Sequence, residues 1–225
     1  MADDVTRTVA ETAAAPRPSG NTKVSRDDWL SHAMEILIDQ GVEQVKILTL
    51  SELLGVSRSS FYWYFTNRQD LLQALLQAWE KRNTGLIRDQ AALPSRTITG
   101  ALCNLFRIFI DPSGFNHQLD FAIREWARRS STVNEAVRST DQARLQIVTE
   151  LFERHGYTPA EALMRARVLY YMQIGYYALE LHEPVETRLS NVPGYILGFT
   201  GQDPDPQDLE DFVDFVRSQA EGQMA

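Results

Sequence analysis

The chain has 225 residues with a net charge of −8, so it is not a protein coated in positive charge for sequence-blind binding to nucleic acid. Apolar residues make up 44% and charged residues 23%, ordinary globular usage that excludes a disordered or fibrous chain. Cys103 is the single cysteine, which excludes a disulfide framework or a multi-cysteine metal site and fits a reducing compartment.

Residues 1–22 are rich in Ala, Thr, Pro and Asp and read as a solvated, disordered tail. Arg7, Arg17 and Lys23 give it a second reading as an arm on DNA. Asp3 and Asp4, without an apolar run, argue against a secretory signal. No apolar stretch approaches the roughly 20 residues of a membrane helix, so no membrane partner is expected.

From Ser25 onward the pattern is helical. Ser25 and Asp28 form an N-cap and N3 pair, Trp29, Ala33, Ile36 and Leu37 recur at helical spacing, and Gly41 stops the helix. A short second helix covers about 47–54, with Ile47, Leu50 and Leu54 on one stripe. Gly55-Val56 turns the chain, and Ser57 caps a third helix to about Phe65. Asn67 caps a long fourth helix, carrying Leu71, Leu72, Leu75, Leu76 and Trp79, that fades near Leu93-Pro94. Further helices are predicted over about 95–110, 115–129, 132–155 and 158–182. Residues 183–206 hold Pro184, Pro193, Pro204 and Pro206 and read as a long loop, after which a final helix begins. No period-two strand pattern occurs, so the fold class is all-α.

Helix, glycine turn and helix within 47–65 make a helix-turn-helix, whose second helix suits the DNA major groove. That helix carries Phe61, Tyr62, Tyr64 and Phe65 around Trp63, a costly set to leave bare without a partner.

The run Leu54-Gly-Val-Ser-Arg-Ser-Ser-Phe-Tyr-Trp-Tyr-Phe-Thr-Asn-Arg-Gln-Asp-Leu-Leu72 resembles the signature of the TetR family of bacterial transcriptional regulators, and residues 25–72 follow its pattern. The resemblance implies three regions: a tail (1–22), a three-helix DNA-binding module (23–70) and a helical effector-binding and dimerisation domain (71–225). It implies a cytoplasmic, non-enzymatic regulator without a cofactor, and a ligand-responsive repressor that binds a palindromic double-stranded operator as a homodimer. Arg58, Ser59, Ser60 and Tyr62 would face base edges. Trp63, Tyr64 and Arg68 would contact phosphates, with Asn67 capping the fourth helix. Lys46 stands where the family has a capping Ser or Thr, and is read as a phosphate contact.

The module itself carries five basic against seven acidic residues over 23–70, a net −2, which predicts a shallow salt dependence. That balance, with Leu48 and Leu53 on the second helix, keeps an alternative reading open: the same fold acting through a protein partner or a small molecule without operator recognition.

For dimerisation the resemblance points to the last two long helices. Their stripes are Tyr170, Ile174, Tyr177 and Leu181, then Leu209, Phe212, Val213 and Val216. For an unknown small-molecule effector, polar and aromatic residues within apolar helices are the candidates. These are Cys103, Asn104, Arg107, His117, Arg124, Trp126, Tyr171, Gln173 and Tyr176. Metal chemistry is not expected, because His32, His117, His155 and His182 lack ligand spacing.

Overall fold

A computed structural model describes residues 24–110, 114–181 and 183–222, and the expected tail (1–22) and His182 lie outside the described residues. The described residues form helices without a strand among them.

The N-terminal helices are α1 (Arg26–Gln40), α2 (Ile47–Leu53) and α3 (Arg58–Phe61). Ser25 and Asp28 close a reciprocal capping box on α1. Lys46 at the N-cap of α2 makes no capping bond, as its side chain has no acceptor to offer. Gly55, at φ 65°, makes the left-handed turn between α2 and α3 that other residues adopt only at a cost. The α-helical part of α3 is shorter than the sequence suggests. Beyond Phe61 the chain tightens, and the Tyr62, Trp63 and Tyr64 amides bond three residues back.

Asn67 caps α4 (Arg68–Trp79) through the Asp70 amide. A π-helical turn (Glu80–Thr84) then leads without a break into α5 (Gly85–Ala92). This one continuous rod joins two cores. The first gathers Trp29, Leu37, Leu50, Phe61, Phe65 and Leu75 with residues of α7 (His117–Ala127) and the start of α8 (Ser131–Arg154). Trp29 meets the edge of Phe61 at 5.3 Å, and Phe61 lies 5.3 Å from Phe65. The second core gathers α5, α6 (Ile98–Ile110), the end of α8, α9 (Pro159–Ala178), α10 (Val185–Thr200) and α11 (Pro206–Gly222).

The predicted loop over 183–206 is largely a helix, α10. Leu189, Val192, Ile196 and Phe199 bury one face of it. Burying each such side chain contributes about 1.5–3 kcal/mol, so together they outweigh the roughly 3 kcal/mol that a mid-helix proline costs. Pro193 lies on the exposed side. The other prolines act at the ends: Pro184 precedes the helix, and Pro204 and Pro206 follow it. The start of α8 also differs slightly from the expected 132, because Ser130 caps the helix and Ser131 begins it.

Between the two cores lies a buried polar network. Asp120 accepts from Trp79 Nε1 and Arg144 Nη1, each at 2.8 Å, and from Arg124 Nε at 2.9 Å. Arg144 is fully buried and also donates to Thr84 Oγ1 in the π turn at 3.0 Å. Arg124 grips Asp141 with two bonds of 2.9 and 2.6 Å, and the Tyr170 hydroxyl donates to the same carboxylate at 2.7 Å. Burial pushes the Asp120 carboxyl up, but the two arginines and its hydrogen bonds prevail and hold it below the usual range.

Candidate nucleic-acid interface and ligand cleft

The α2–α3 unit presents a free face. Arg58, Ser59, Tyr62 and Trp63 are exposed, Trp63 by 72% and Tyr62 by 59%. Phe61 and Phe65 anchor the same short segment in the core, so the exposed side chains project from a fixed platform. The Ser57 hydroxyl pairs with Ser59 Oγ at 2.7 Å, and Ser60 Oγ donates to the Ser57 carbonyl at 2.7 Å. Ser60 is therefore half occupied with its own turn. Lys46 is exposed and donates to Gln44 Oε1 at 2.9 Å, an outward contact that a phosphate could replace.

Two expected phosphate contacts have other work. Arg68 Nε donates to the Val45 carbonyl at 2.6 Å and its Nη2 to the Val42 carbonyl at 2.5 Å. Both carbonyls belong to the connection between α1 and α2, so Arg68 clamps that loop to the start of α4 rather than projecting freely. Tyr64 donates its hydroxyl to the Val24 carbonyl at 2.8 Å and braces the entry to α1. Asn67 is the α4 cap, as expected of it.

In the C-terminal half a cleft opens between α6, α9, α10 and α11. It is narrow, with a cavity volume of about 80 Å³, and opens to solvent. Phe106, Phe109, Met172, Leu189, Tyr195 and Phe212 form most of its wall. Of the residues proposed from sequence for an effector, Gln173 and Tyr176 line this cleft. The others lie elsewhere. Cys103 is buried in the second core, where burial pushes its thiol up to about 12. Arg107 lies over the Phe215 ring at 4.7 Å, and its neighbour Asn104 is half-buried on α6. Arg124 is committed to the carboxylates of Asp120 and Asp141. Trp126 belongs to the first core, and Tyr171 is exposed on the outer side of α9.

His117 stacks flat on Tyr177 at 4.6 Å and 2°, outside the cleft wall but one ring away from it. Tyr177 in turn touches Phe109 and Tyr176, each at 6.2 Å. Asn116, which caps α7 beside His117, accepts from Asn83 Nδ2 through its carbonyl at 3.0 Å. Its amide donates back to Asn83 Oδ1 at 3.3 Å. Asn83 is fully buried in the π turn of the connecting rod.

Sequence reasoning missed Phe106, Phe109, Met172, Arg188 and Tyr195 as cleft residues. The signal for the α10 members was the spacing of Leu189, Val192, Ile196 and Phe199, masked by the proline count.

Most of the expected dimer stripes face the protomer's own interior. Tyr170, Phe212 and Val216 are buried within the protomer, and Leu209 and Val213 pack against its second core. Tyr177 lies among the rings just described, and Ile174 is partly buried. The stripe of α11 packs on α6, which uses the surface that a second copy would need. The exposed apolar side chains lie instead on α9 and α10: Met164, Val168 and Tyr171, with Leu197. Leu163 is exposed beside them on α9, and Leu181, the exposed member of the expected stripes, lies past the end of that helix. Gly194 and Gly198 leave open space on the same side of α10 as Leu197.

Residues 30–75 match the profile of "Bacterial regulatory proteins, tetR family". The chain is 39% identical over 56 residues to the tetracycline repressor protein class C of Escherichia coli, covering 25% of this chain and 26% of that protein. It is 29% identical over 72 residues to the HTH-type transcriptional regulator TtgR of Pseudomonas putida, covering 32% and 34%. The alignments thus span about a quarter to a third of the length of these relatives. Among solved structures, Salmonella enterica GusR superposes with a TM-score of 0.60 at 15% identity, over 83% of this chain and 100% of that one. A TetR-family transcriptional regulator from Marinobacter aquaeolei superposes at 0.51 and 14% identity, over 87% and 98%. At such identities these two comparisons show the shared fold.

Proposed function

We propose that this chain, whose residues 30–75 match the tetR family of bacterial regulatory proteins and whose all-helical fold is shared with a solved regulator of that family, is a cytoplasmic, ligand-responsive repressor that binds a palindromic operator as a homodimer. The observation that carries the reading is the α2–α3 platform, with Arg58, Ser59, Tyr62 and Trp63 exposed beside each other on a segment pinned by Phe61 and Phe65. Arg58 is the candidate for bidentate guanine contact, and Tyr62 for a base edge or thymine methyl. Trp63 and Lys46 would meet phosphates. Arg68 and Tyr64 serve by holding the platform in place.

One such platform carries few cations, so affinity depends on two acting together. The second copy is read onto the exposed face of α9 and α10. Helix packing across it would bury Met164, Val168, Tyr171 and Leu197, and the two glycines permit close approach.

Effector control is supported by a continuous line of contacts. Filling the cleft displaces Phe109 or Tyr176 against Tyr177; that ring stacks on His117 at the start of α7; Asn116 there holds Asn83 in the π turn. A π turn is an under-wound site, with one residue more than an ordinary turn, that can relax to ordinary helix, which would swing α4 and the platform it carries. The ligand then shifts the population toward a form that no longer fits the operator.

The test is selection of bound duplexes from a random library by the purified protein, with Val168→Glu alongside. The expected result is an enriched near-palindrome for the native protein. Val168→Glu is expected to sediment as a monomer, stay folded, and lose the enrichment. A folded native protein that enriches no sequence at low salt overturns the operator reading and favours action through a protein partner. A Val168→Glu variant that remains dimeric overturns the assigned dimer face.

A further inference from the structure

The effector reading above leaves the ligand's chemistry open, and the cleft itself carries that chemistry further. Its wall is aliphatic and aromatic, so it excludes sugars and free ions, which would lose their hydration without replacement. Charge enters at one end, where α10 begins. Arg188 lines the cleft, half-buried, with its guanidinium 5.8 Å from the centre of the Tyr176 ring. Among the described residues the one hydrogen bond of that guanidinium is a long contact of 3.5 Å to the Phe109 carbonyl. Among the described residues no carboxylate lies within ion-pair distance of it, whereas Arg96, Arg124, Arg144 and Arg217 all have one. A guanidinium offers five donors, and most of these remain available toward the cleft.

A second feature reinforces the sign. The first turn of α10 has Pro184 at its N-cap and no side chain capping its amides. Val185 of that turn lines the same cleft. Uncapped amides at a helix start carry positive partial charge and favour an anion. The acid in the lining, Glu183, already accepts the Tyr176 hydroxyl at 3.1 Å. The acid of the first turn, Glu186, is drawn away by Arg217 at 3.4 Å.

We propose that the cleft binds an amphipathic anion: a carboxylate or sulfonate head on Arg188 at the start of α10, and an apolar, ring- or chain-bearing body against Phe106, Phe109, Met172 and Tyr195. This deepens the effector reading, and its test is independent of DNA.

A matched pair of fluorescent probes isolates the head group. 1-Anilinonaphthalene-8-sulfonate and N-phenyl-1-naphthylamine share their rings and differ by the sulfonate. Each is titrated into the native full-length protein and into Arg188→Gln, Glu183→Gln and Met172→Trp. The native protein should bind the sulfonate at least about tenfold more tightly than the neutral probe, the scale of hydrogen bonds to a charged group. Arg188→Gln should remove that preference by weakening the sulfonate alone. Glu183→Gln should tighten the sulfonate by a few fold, about the effect of removing a nearby like charge, and it tests the sign of the site even if Arg188→Gln fails to fold. Met172→Trp should weaken both probes by filling the wall. Equal affinity of the two probes for the native protein overturns the proposal, as does an unchanged preference in folded Arg188→Gln. Probes that ignore Met172→Trp bind elsewhere, which also overturns it. Failure to enrich an operator would sink the regulator reading while leaving these titrations standing.

Discussion

The α2–α3 platform lies within residues 46–65 of continuous chain, whereas the cleft draws its wall from residues as far apart as Phe106 and Val216. The platform is held by local means: a glycine turn, a buried Phe61–Phe65 pair, and two clamps, Arg68 on the α1–α2 connection and Tyr64 on the entry to α1. The cleft is shaped by how α6, α9, α10 and α11 meet, and one helix shift changes it. The proposed function needs a joint between platform and cleft. The π turn and the Asp120–Arg144 network occupy that position.

The largest expected effect is at the joint. Asp120→Asn leaves Arg144 buried without its counter-charge, which should cost about 3–5 kcal/mol of stability. A urea melt measures it, and a loss below about 1 kcal/mol would mean that water reaches Arg144. The acid limb gives the sign. Asp120 titrates below its ordinary value, because Arg144 and Arg124 overcome the upward push of burial. Its contribution is therefore complete above the unfolded value near 3.8 and lost as pH falls through the lower folded value. The native protein should lose stability over that acidic range more steeply than Asp120→Asn.

A smaller effect separates clamp from contact within the platform. Arg68→Met should cost about 1.5–3 kcal/mol, the scale of charged hydrogen bonds to partly buried carbonyls. The slope of log affinity against log salt for the folded fraction should stay the same. A slope reduced by about 0.9 would mark Arg68 as a phosphate contact after all.

The same contrast explains what could be read from the chain. Most local signals held: the capping box at Ser25, the Asn67 cap and the glycine turn are set by neighbours in sequence, whereas Ser57 stands at the start of α3 without a side-chain capping bond, its hydroxyl paired with Ser59. Two roles near the platform did not follow from the pattern. Arg68 and Tyr64 sit in the signature, yet their polar atoms end on backbone carbonyls of the α1–α2 connection and of Val24. Which carbonyl a long side chain meets depends on how α1 and α4 pack. The C-terminal half was less legible for the same reason. The stripe of α11 was apparent, but not that α6 would cover it. α10 was hidden because proline and glycine argue locally against a helix that its buried face makes favourable.

The central claim is that the exposed face of α3 reads sequence while its buried face only holds it. The most direct test is the affinity of native protein and Arg58→Ala for the selected operator and for a random duplex, across a salt series. The account predicts equal melting temperatures, a loss of about 1–3 kcal/mol per half-site on the operator for Arg58→Ala, and a much smaller change on random DNA. Equal losses on both duplexes would make Arg58 a phosphate contact, and no loss on either would remove α3 from the interface.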